Sequence, residues 1–160
     1  PLLRAAELGA RVEEGGGSLG GESATREPQP AILSGLRVLV VDDDEDALNL
    51  IRAVLERTGA SVTTVESAAA AWAALEEARH DLLLCDIGMP GEDGYQLIRR
   101  VRARETARGL ATPAIALTAY AGDADRALAL DAGFQLHVPK PVDPADLIAV
   151  IAGLVEIRQK

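Results

Sequence analysis

Acidic side chains follow two short apolar runs of this sequence, and carboxylates are the side chains best suited to a hard metal ion. Asp42 and Asp43 come directly after VLVV, and Asp86 comes directly after LLLC. Carboxylates that meet repel one another unless a cation joins them, and Mg²⁺ prefers oxygen ligands. A carboxylate can also attack phosphorus and form an aspartyl phosphate. These residues therefore indicate metal-assisted phosphoryl chemistry.

A hydroxyl group and an ammonium group follow two later apolar runs. Thr118 ends PAIALT, and Lys140 follows FQLHVP. Of the 16 basic residues, 14 are arginine, and the other lysine is the terminal Lys160. A transferring phosphoryl group needs its charge neutralised more than it needs covalent help. An ammonium on one side and Mg²⁺ on the other would supply that neutralisation.

Each residue also has a plain structural explanation. Acids before a helix accept hydrogen bonds from its free N–H groups, which explains Asp44 and Asp46 better than the two acids before them. An aspartate before a Gly/Pro loop can simply form a turn, and threonine is common at strand ends. The combination is more specific than any of its members, because each group stands at the end of a successive apolar run.

The elements that must position these groups alternate along the chain. Five short apolar runs, of the kind that form buried parallel strands, alternate with five stretches of helical pattern. This order predicts an α/β fold, a doubly wound sheet with right-handed crossovers. Ligands of such sheets bind at the carboxyl ends of the strands, where Asp42, Asp43 and Asp86 would converge.

The composition narrows the class of protein. The chain has 160 residues, 48% of them hydrophobic, and a formal charge of −9, which argues against a nucleic-acid partner. It contains no apolar run of membrane-spanning length and no signal-peptide pattern, so we expect no membrane association. The single cysteine, Cys85, cannot form an intrachain disulfide, which fits a cytoplasmic location.

The first part of the chain differs in composition from the rest. Residues 15–30 are rich in Gly, Ser, Glu and Pro and have little to bury. We expect residues 1–34 to form a flexible linker or lead-in and residues 35–158 to form the domain.

These motifs resemble those of the receiver domain of two-component response regulators. VLVVDDDEDAL resembles the first strand and acid pair of that family, and LLLCDIGMPGEDGYQLI resembles its phosphoacceptor strand and loop. PAIALTA and HVPKPVD resemble its threonine and lysine–proline segments. The resemblance covers residues 36–157 and implies a flavodoxin-like fold, a five-stranded parallel sheet in the order 2-1-3-4-5 with helices on both faces.

The resemblance also implies roles for the site residues. Asp86 would accept the phosphoryl group. Asp43 would bind Mg²⁺ directly, Asp42 mainly through water, and the main-chain carbonyl of Gly88 would be a further ligand beside Asp86. Mn²⁺ would be able to substitute for Mg²⁺.

Other residues would contact or tune the phosphoryl group. Thr118 and Lys140 would contact it, and the Lys140–Pro141 peptide is often cis in this family. Tyr120 stands where the family controls the access of water, so its bulk is expected to set the phosphoryl lifetime. His137 replaces the usual Tyr or Phe; it is more simply a part-exposed strand residue than a pH-sensitive switch.

The resemblance further implies partners. The phosphoryl donor would be a phosphohistidine on a sensor histidine kinase or a histidine phosphotransfer domain. Transfer would change the surface of the fourth and fifth helices, and a homodimer would form through the fourth helix, fifth strand and fifth helix. Two arrangements remain open, a stand-alone receiver and the C-terminal receiver of a hybrid sensor histidine kinase; the start without methionine and the linker favour the hybrid. No turnover is expected of this fragment beyond its own phosphorylation and dephosphorylation.

Two other functions compete with this interpretation. Asp42 and Asp44 after an apolar strand also resemble the opening of haloacid-dehalogenase-like phosphohydrolases, in which Asp42 would be the nucleophile. That interpretation leaves Asp86 without a role and lacks a later pair of acids after Lys140. A receiver-like binding module that works without phosphorylation is the second alternative, although every expected site residue is present.

Overall fold

Five parallel strands form a single sheet in the order β2-β1-β3-β4-β5. The structure is a computed structural model that describes residues 32–119 and 122–159. The strands are β1 (Arg37–Val41), β2 (Ser61–Val65), β3 (Leu82–Asp86), β4 (Ala114–Thr118) and β5 (Leu136–Pro139). The predicted fold class, a flavodoxin-like doubly wound sheet of this strand order, is confirmed.

A helix follows each strand and covers one face of the sheet. The helices are α1 (Glu45–Glu56), α2 (Ala68–Glu77), α3 (Gly94–Arg108), α4 (Asp123–Ala132) and α5 (Pro144–Gln159). Alternate residues of a strand point to opposite faces, so Leu39 and Val41 pack with α2, α3 and α4, while Val38 and Val40 pack with α1 and α5. None of the helices among the described residues is long and apolar enough to cross a membrane.

The three central strands are buried on both faces, and this explains their apolar sequences. All residues of β3 and β4 are buried, whereas the edge strand β2 contains only partly buried and exposed residues. Helix starts follow local chemistry: the side chain of Asp44 caps α1, and Ser67 accepts a hydrogen bond from Ala70 N at 3.1 Å. Asp93 and Gln96 form a capping box that starts α3.

The described part of the chain begins with a turn that packs against the domain. Leu33 is buried, and its N–H donates to the carbonyl of Thr58 at 3.0 Å. Leu33 thus packs in the core, two residues before the expected start of the domain at residue 35. The rest of the expected linker, residues 1–31, lies outside the described residues.

Candidate functional site

The carboxyl ends of β1 and β3 bring three acidic side chains together. The two strands are neighbours in register, with Val41 opposite Cys85, so the residues that follow them meet at one edge of the sheet. Asp42, Asp43 and Asp86 each offer a carboxylate oxygen, and these oxygens all lie within 4.8 Å of one another. The convergence that the sequence predicts is therefore present in the structure.

The three carboxylates differ in their exposure to solvent. Asp42 is 0% exposed and Asp86 is 5% exposed, whereas Asp43 is open to solvent. Asp42 Oδ1 accepts a hydrogen bond from Asp44 N at 2.9 Å, which fixes the side chain against the start of α1. The cluster is therefore anchored by one wholly buried acid and open on the side of Asp43.

Lys140 lies against the two buried carboxylates. Its Nζ is 2.9 Å from Asp42 Oδ2 and 3.2 Å from Asp86 Oδ1. The main chain positions it, because Lys140 N donates to the carbonyl of Thr118 at 2.8 Å and the Lys140–Pro141 peptide is cis. Thr118 is buried at the end of β4, beside the end of β3. The sheet therefore gathers the hydroxyl and ammonium residues at the same edge as the acids.

The charges of these groups act on one another. Burial raises the pKa of Asp86, the charge of Asp42 raises it further, and Lys140 together with a backbone hydrogen bond from Gly88 opposes both effects. Burial alone would lower the pKa of Lys140, but its ion pairs with Asp42 and Asp86 outweigh that effect and raise it. Lys140 therefore remains protonated and offsets part of the negative charge.

The donor set fits a hard divalent cation. Three carboxylates with one ammonium leave the cluster negatively charged, and their oxygens lie close enough together to share one ion. Gly88, the fourth expected ligand, lies exposed in the loop after β3, and the space where a Cβ would stand there is open. The residues present therefore suit Mg²⁺.

A close approach between α3 and the end of β3 was not predicted from the sequence. A Cβ on Gly94 would lie 2.7 Å from the carbonyl oxygen of Asp86 and 2.9 Å from Ile87 Cα. Gly94 N also donates to the carbonyl of Ile87 at 3.1 Å. The only signal for this contact was a glycine at a helix start, which by itself has many explanations.

The residues expected to tune the site are less fully described. Tyr120 lies outside the described residues. His137 is partly buried on β5 opposite Ala116, and its Nδ1 is buried without a hydrogen-bond partner among the described residues. Cys85, interpreted as a buried apolar residue, is buried and free; burial raises the pKa of its thiol.

Comparisons with known proteins point to one family. The family model described as the response regulator receiver domain matches residues 38–152. An uncharacterized 14.6 kDa protein of Leptolyngbya boryana is 47% identical over 119 residues, which are 74% of this chain and 89% of that protein.

Two further comparisons extend this result. Hybrid signal transduction histidine kinase D of Dictyostelium discoideum is 36% identical over 131 residues, 78% of this chain but 8% of the kinase. The crystal structure of a response regulator receiver domain protein from Methanospirillum hungatei JF-1 has a TM-score of 0.70 and 29% identity, and the match covers 78% of this chain and 96% of that one.

Proposed function

This chain belongs to the response regulator receiver domain family and is a phosphoacceptor signalling switch, and we propose that its switch is phosphorylation of Asp86. The observation that supports this assignment is the position of Lys140 Nζ, 2.9 Å from Asp42 and 3.2 Å from Asp86. An ammonium between two buried carboxylates, next to an exposed third, is suited to a phosphoryl group in transfer.

The proposed reaction follows from the chemistry of these side chains. An Asp86 carboxylate oxygen forms a bond to phosphorus while the bond from phosphorus to the donor's imidazole nitrogen breaks, and that nitrogen keeps the electron pair. Lys140 exchanges its contact with Asp86 for one with a phosphoryl oxygen, and the Thr118 hydroxyl donates to another. A bound divalent cation supplies neutralisation of the phosphoryl charge.

The same residues would hold that cation. Asp43 would bind Mg²⁺ directly and Asp42 mainly through water, with Asp86 and the carbonyl of Gly88 completing the protein's contribution. Mn²⁺ would be able to substitute for Mg²⁺ at this site, because it accepts the same oxygen ligands.

Mass spectrometry of the intact protein tests the function. The protein is incubated with Mg²⁺ and acetyl phosphate, then weighed beside an Asp86→Asn variant. We expect one added phosphoryl group on the wild type, none on the variant and none when Mg²⁺ is chelated. Sustained release of free phosphate with no labelled protein would favour the phosphohydrolase, and an unchanged wild-type mass would favour the phosphorylation-independent module.

The burial of the acids bears on the phosphohydrolase alternative. In that enzyme class Asp42 would be the nucleophile, yet Asp42 is 0% exposed and each of its oxygens already faces a partner, Asp44 N or Lys140 Nζ. Asp86 is 5% exposed, and its Oδ1 lies 3.2 Å from Lys140 Nζ, farther than the 2.9 Å of Asp42 Oδ2. These contacts favour Asp86 as the nucleophile.

Two residues are proposed to tune the lifetime and the output of the phosphorylated state. The bulk of Tyr120 would limit the access of water, so a Tyr120→Ala variant should lose its phosphoryl group faster; equal decay rates would refute this role. His137 would weaken the coupling between Thr118 and the outer surface relative to an aromatic residue at its position.

The partners belong to the proposal as well. Receiver domains interact with histidine kinases or phosphotransfer domains, and we propose a phosphohistidine donor of either type in the cytoplasm. We propose that the chain is a receiver of a hybrid sensor histidine kinase and contacts no nucleic acid. Dimerisation would use the α4–β5–α5 face, where Leu128, Leu130 and Leu136 are exposed; a phosphorylated protein that sediments as a monomer would contradict it.

A further inference from the structure

The loop between β3 and α3 is tied by one of its side chains to the helix that follows. Glu92 Oε1 accepts a hydrogen bond from Arg100 Nη1 at 2.7 Å, and the two side chains form an ion pair. The other oxygen of Glu92, Oε2, is buried and has no hydrogen-bond partner among the described residues. The same loop carries Gly88, whose main-chain carbonyl is a proposed ligand of the cation.

Arg100 is held in turn by an aromatic ring on a different helix. Its Cζ lies 4.3 Å from the centroid of the Trp72 ring, and Arg104 Cζ lies 4.5 Å from the same centroid. Both distances are within the range of cation–π interactions. Trp72 stands on α2 and packs against the buried core, which gives the ring a fixed position.

An isolated exposed ion pair contributes little, because ordering two long side chains costs entropy and water screens their charges. Here stacking on Trp72 already orders the guanidinium of Arg100, so less entropy is lost when it binds Glu92. The contacts form a continuous chain from α2 through Arg100 to the loop after Asp86.

We propose that Trp72, Arg100 and Glu92 form a clamp that positions the β3–α3 loop for divalent-cation binding, with Arg100 and Glu92 as positioning residues. The inference rests on the proposed function, since it concerns the same cation. Loss of the clamp would leave the carboxylates in place but release the loop that carries Gly88, which weakens binding of the ion.

Arg100 carries a positive charge, so electrostatics and the clamp predict opposite effects when that charge is removed. Electrostatics alone predict that removal of a positive charge near an acidic site tightens cation binding. The clamp predicts the opposite for Arg100→Gln. Arg99→Gln is the matched control, because Arg99 is the adjacent exposed arginine on α3, carries the same charge and lines the same surface beside Glu92.

The experiment is a Mg²⁺ titration by calorimetry on the wild type, Arg100→Gln, Glu92→Gln, the double variant and Arg99→Gln. We expect Arg100→Gln to weaken binding, on the order of tenfold as for other outer-shell partners at metal sites, and the double variant to bind no more weakly than Glu92→Gln alone. Arg99→Gln should bind equally or more tightly.

Fluorescence provides a second readout that a general loss of stability would not reproduce. Trp72 is the only tryptophan of the chain, so Mg²⁺ should change its emission in the wild type and in Arg99→Gln but not in Arg100→Gln. If Arg100→Gln binds Mg²⁺ as tightly as Arg99→Gln does, the clamp is wrong, while the proposed metal site still stands. A wild type that binds no Mg²⁺ would overturn the clamp together with the metal part of the proposed function.

Discussion

Lys140 forms ion pairs with two buried acids, Asp42 and Asp86. The sequence predicts an ammonium on one side of the transferring phosphoryl group, whereas the structure places the Nζ of Lys140 in contact with Asp42 and Asp86. The reason is electrostatic, because two neighbouring buried carboxylates attract the nearest cation. Lys140 would thus compete with a bound divalent cation for the same oxygens, and its ion pairs stabilise the fold.

This competition gives Lys140→Met two opposite effects. The variant should lose about 3 kcal/mol of unfolding free energy without metal, as when one partner of a buried ion pair is removed. The same variant should bind Mg²⁺ more tightly than the wild type, because the ammonium no longer opposes the ion. Urea denaturation and calorimetry measure the two effects; weaker Mg²⁺ binding would contradict the assignment.

Gly94 allows α3 to begin directly against the main chain of Asp86. A Cβ there would lie 2.7 Å from the Asp86 carbonyl oxygen, and main chain cannot move aside as a flexible side chain can. Gly94→Ala should therefore destabilise the protein by roughly 1–3 kcal/mol and slow phosphorylation.

Gly153 is the matched control for that substitution. It lies inside α5, and nothing stands within 4 Å of where its Cβ would be. Gly153→Ala should stabilise the protein by about 0.5–1 kcal/mol, the ordinary gain for alanine in a helix. Chemical denaturation measures the unfolding free energy of both variants. If Gly94→Ala is as stable as the wild type, the main chain of Asp86 moves aside for the added Cβ without cost.

At the scale of elements, α3 is fastened at its far end by a buried charge. Glu105 is 4% exposed, and its Oε1 is 2.6 Å from Arg102 Nη1. Its other oxygen accepts from Thr112 N at 3.0 Å, ahead of β4. Arg102 Nε donates to the carbonyl of Gly133 at 2.9 Å, at the end of α4. The side chains of Arg102 and Glu105 therefore join α3 to two other parts of the chain, the segment before β4 and the end of α4.

Removal of this buried carboxylate should be costly. Glu105→Ala leaves the guanidinium of Arg102 without its acidic partner, and we expect a loss of about 3 kcal/mol in unfolding free energy. Glu77→Ala, at an exposed acid on α2, should change stability by less than about 0.5 kcal/mol. Equal unfolding curves for the two variants would show that Glu105 does not stabilise the fold.

The sequence predicts the strands well and the buried charges poorly, for a physical reason. β3 and β4 are covered on both faces, so their burial appears directly as an unbroken apolar run. Glu105 lies in the polar segment RRVRARETAR, and its burial depends on the contact with Thr112, which lies beyond the end of the helix and reaches it only in the folded chain. The close approach at Gly94 could not be predicted for the same reason, because its neighbour is the main chain of Asp86 at the end of β3.

At the scale of the whole molecule, the site is assembled from all parts of the sheet except its β2 edge. β1 and β3 supply the acids, β4 supplies Thr118, and the end of β5 leads to Lys140. The order of strands in the sheet could be predicted because the resemblance to the receiver family implies it. The ion pairs of Lys140 could not, because they depend on distances between side chains that only the folded molecule defines.

Asp86, and not an acid after β1, is the proposed carrier of the phosphoryl group. Borohydride reduces an aspartyl phosphate to homoserine, which marks the residue permanently. Trypsin separates the two possibilities, because it releases Asp86 in the peptide of residues 80–99 and Asp42 with Asp43 in that of residues 38–52. After treatment with acetyl phosphate, Mg²⁺ and borohydride, mass spectrometry should locate homoserine at position 86; homoserine at position 42 or 43 would contradict the account.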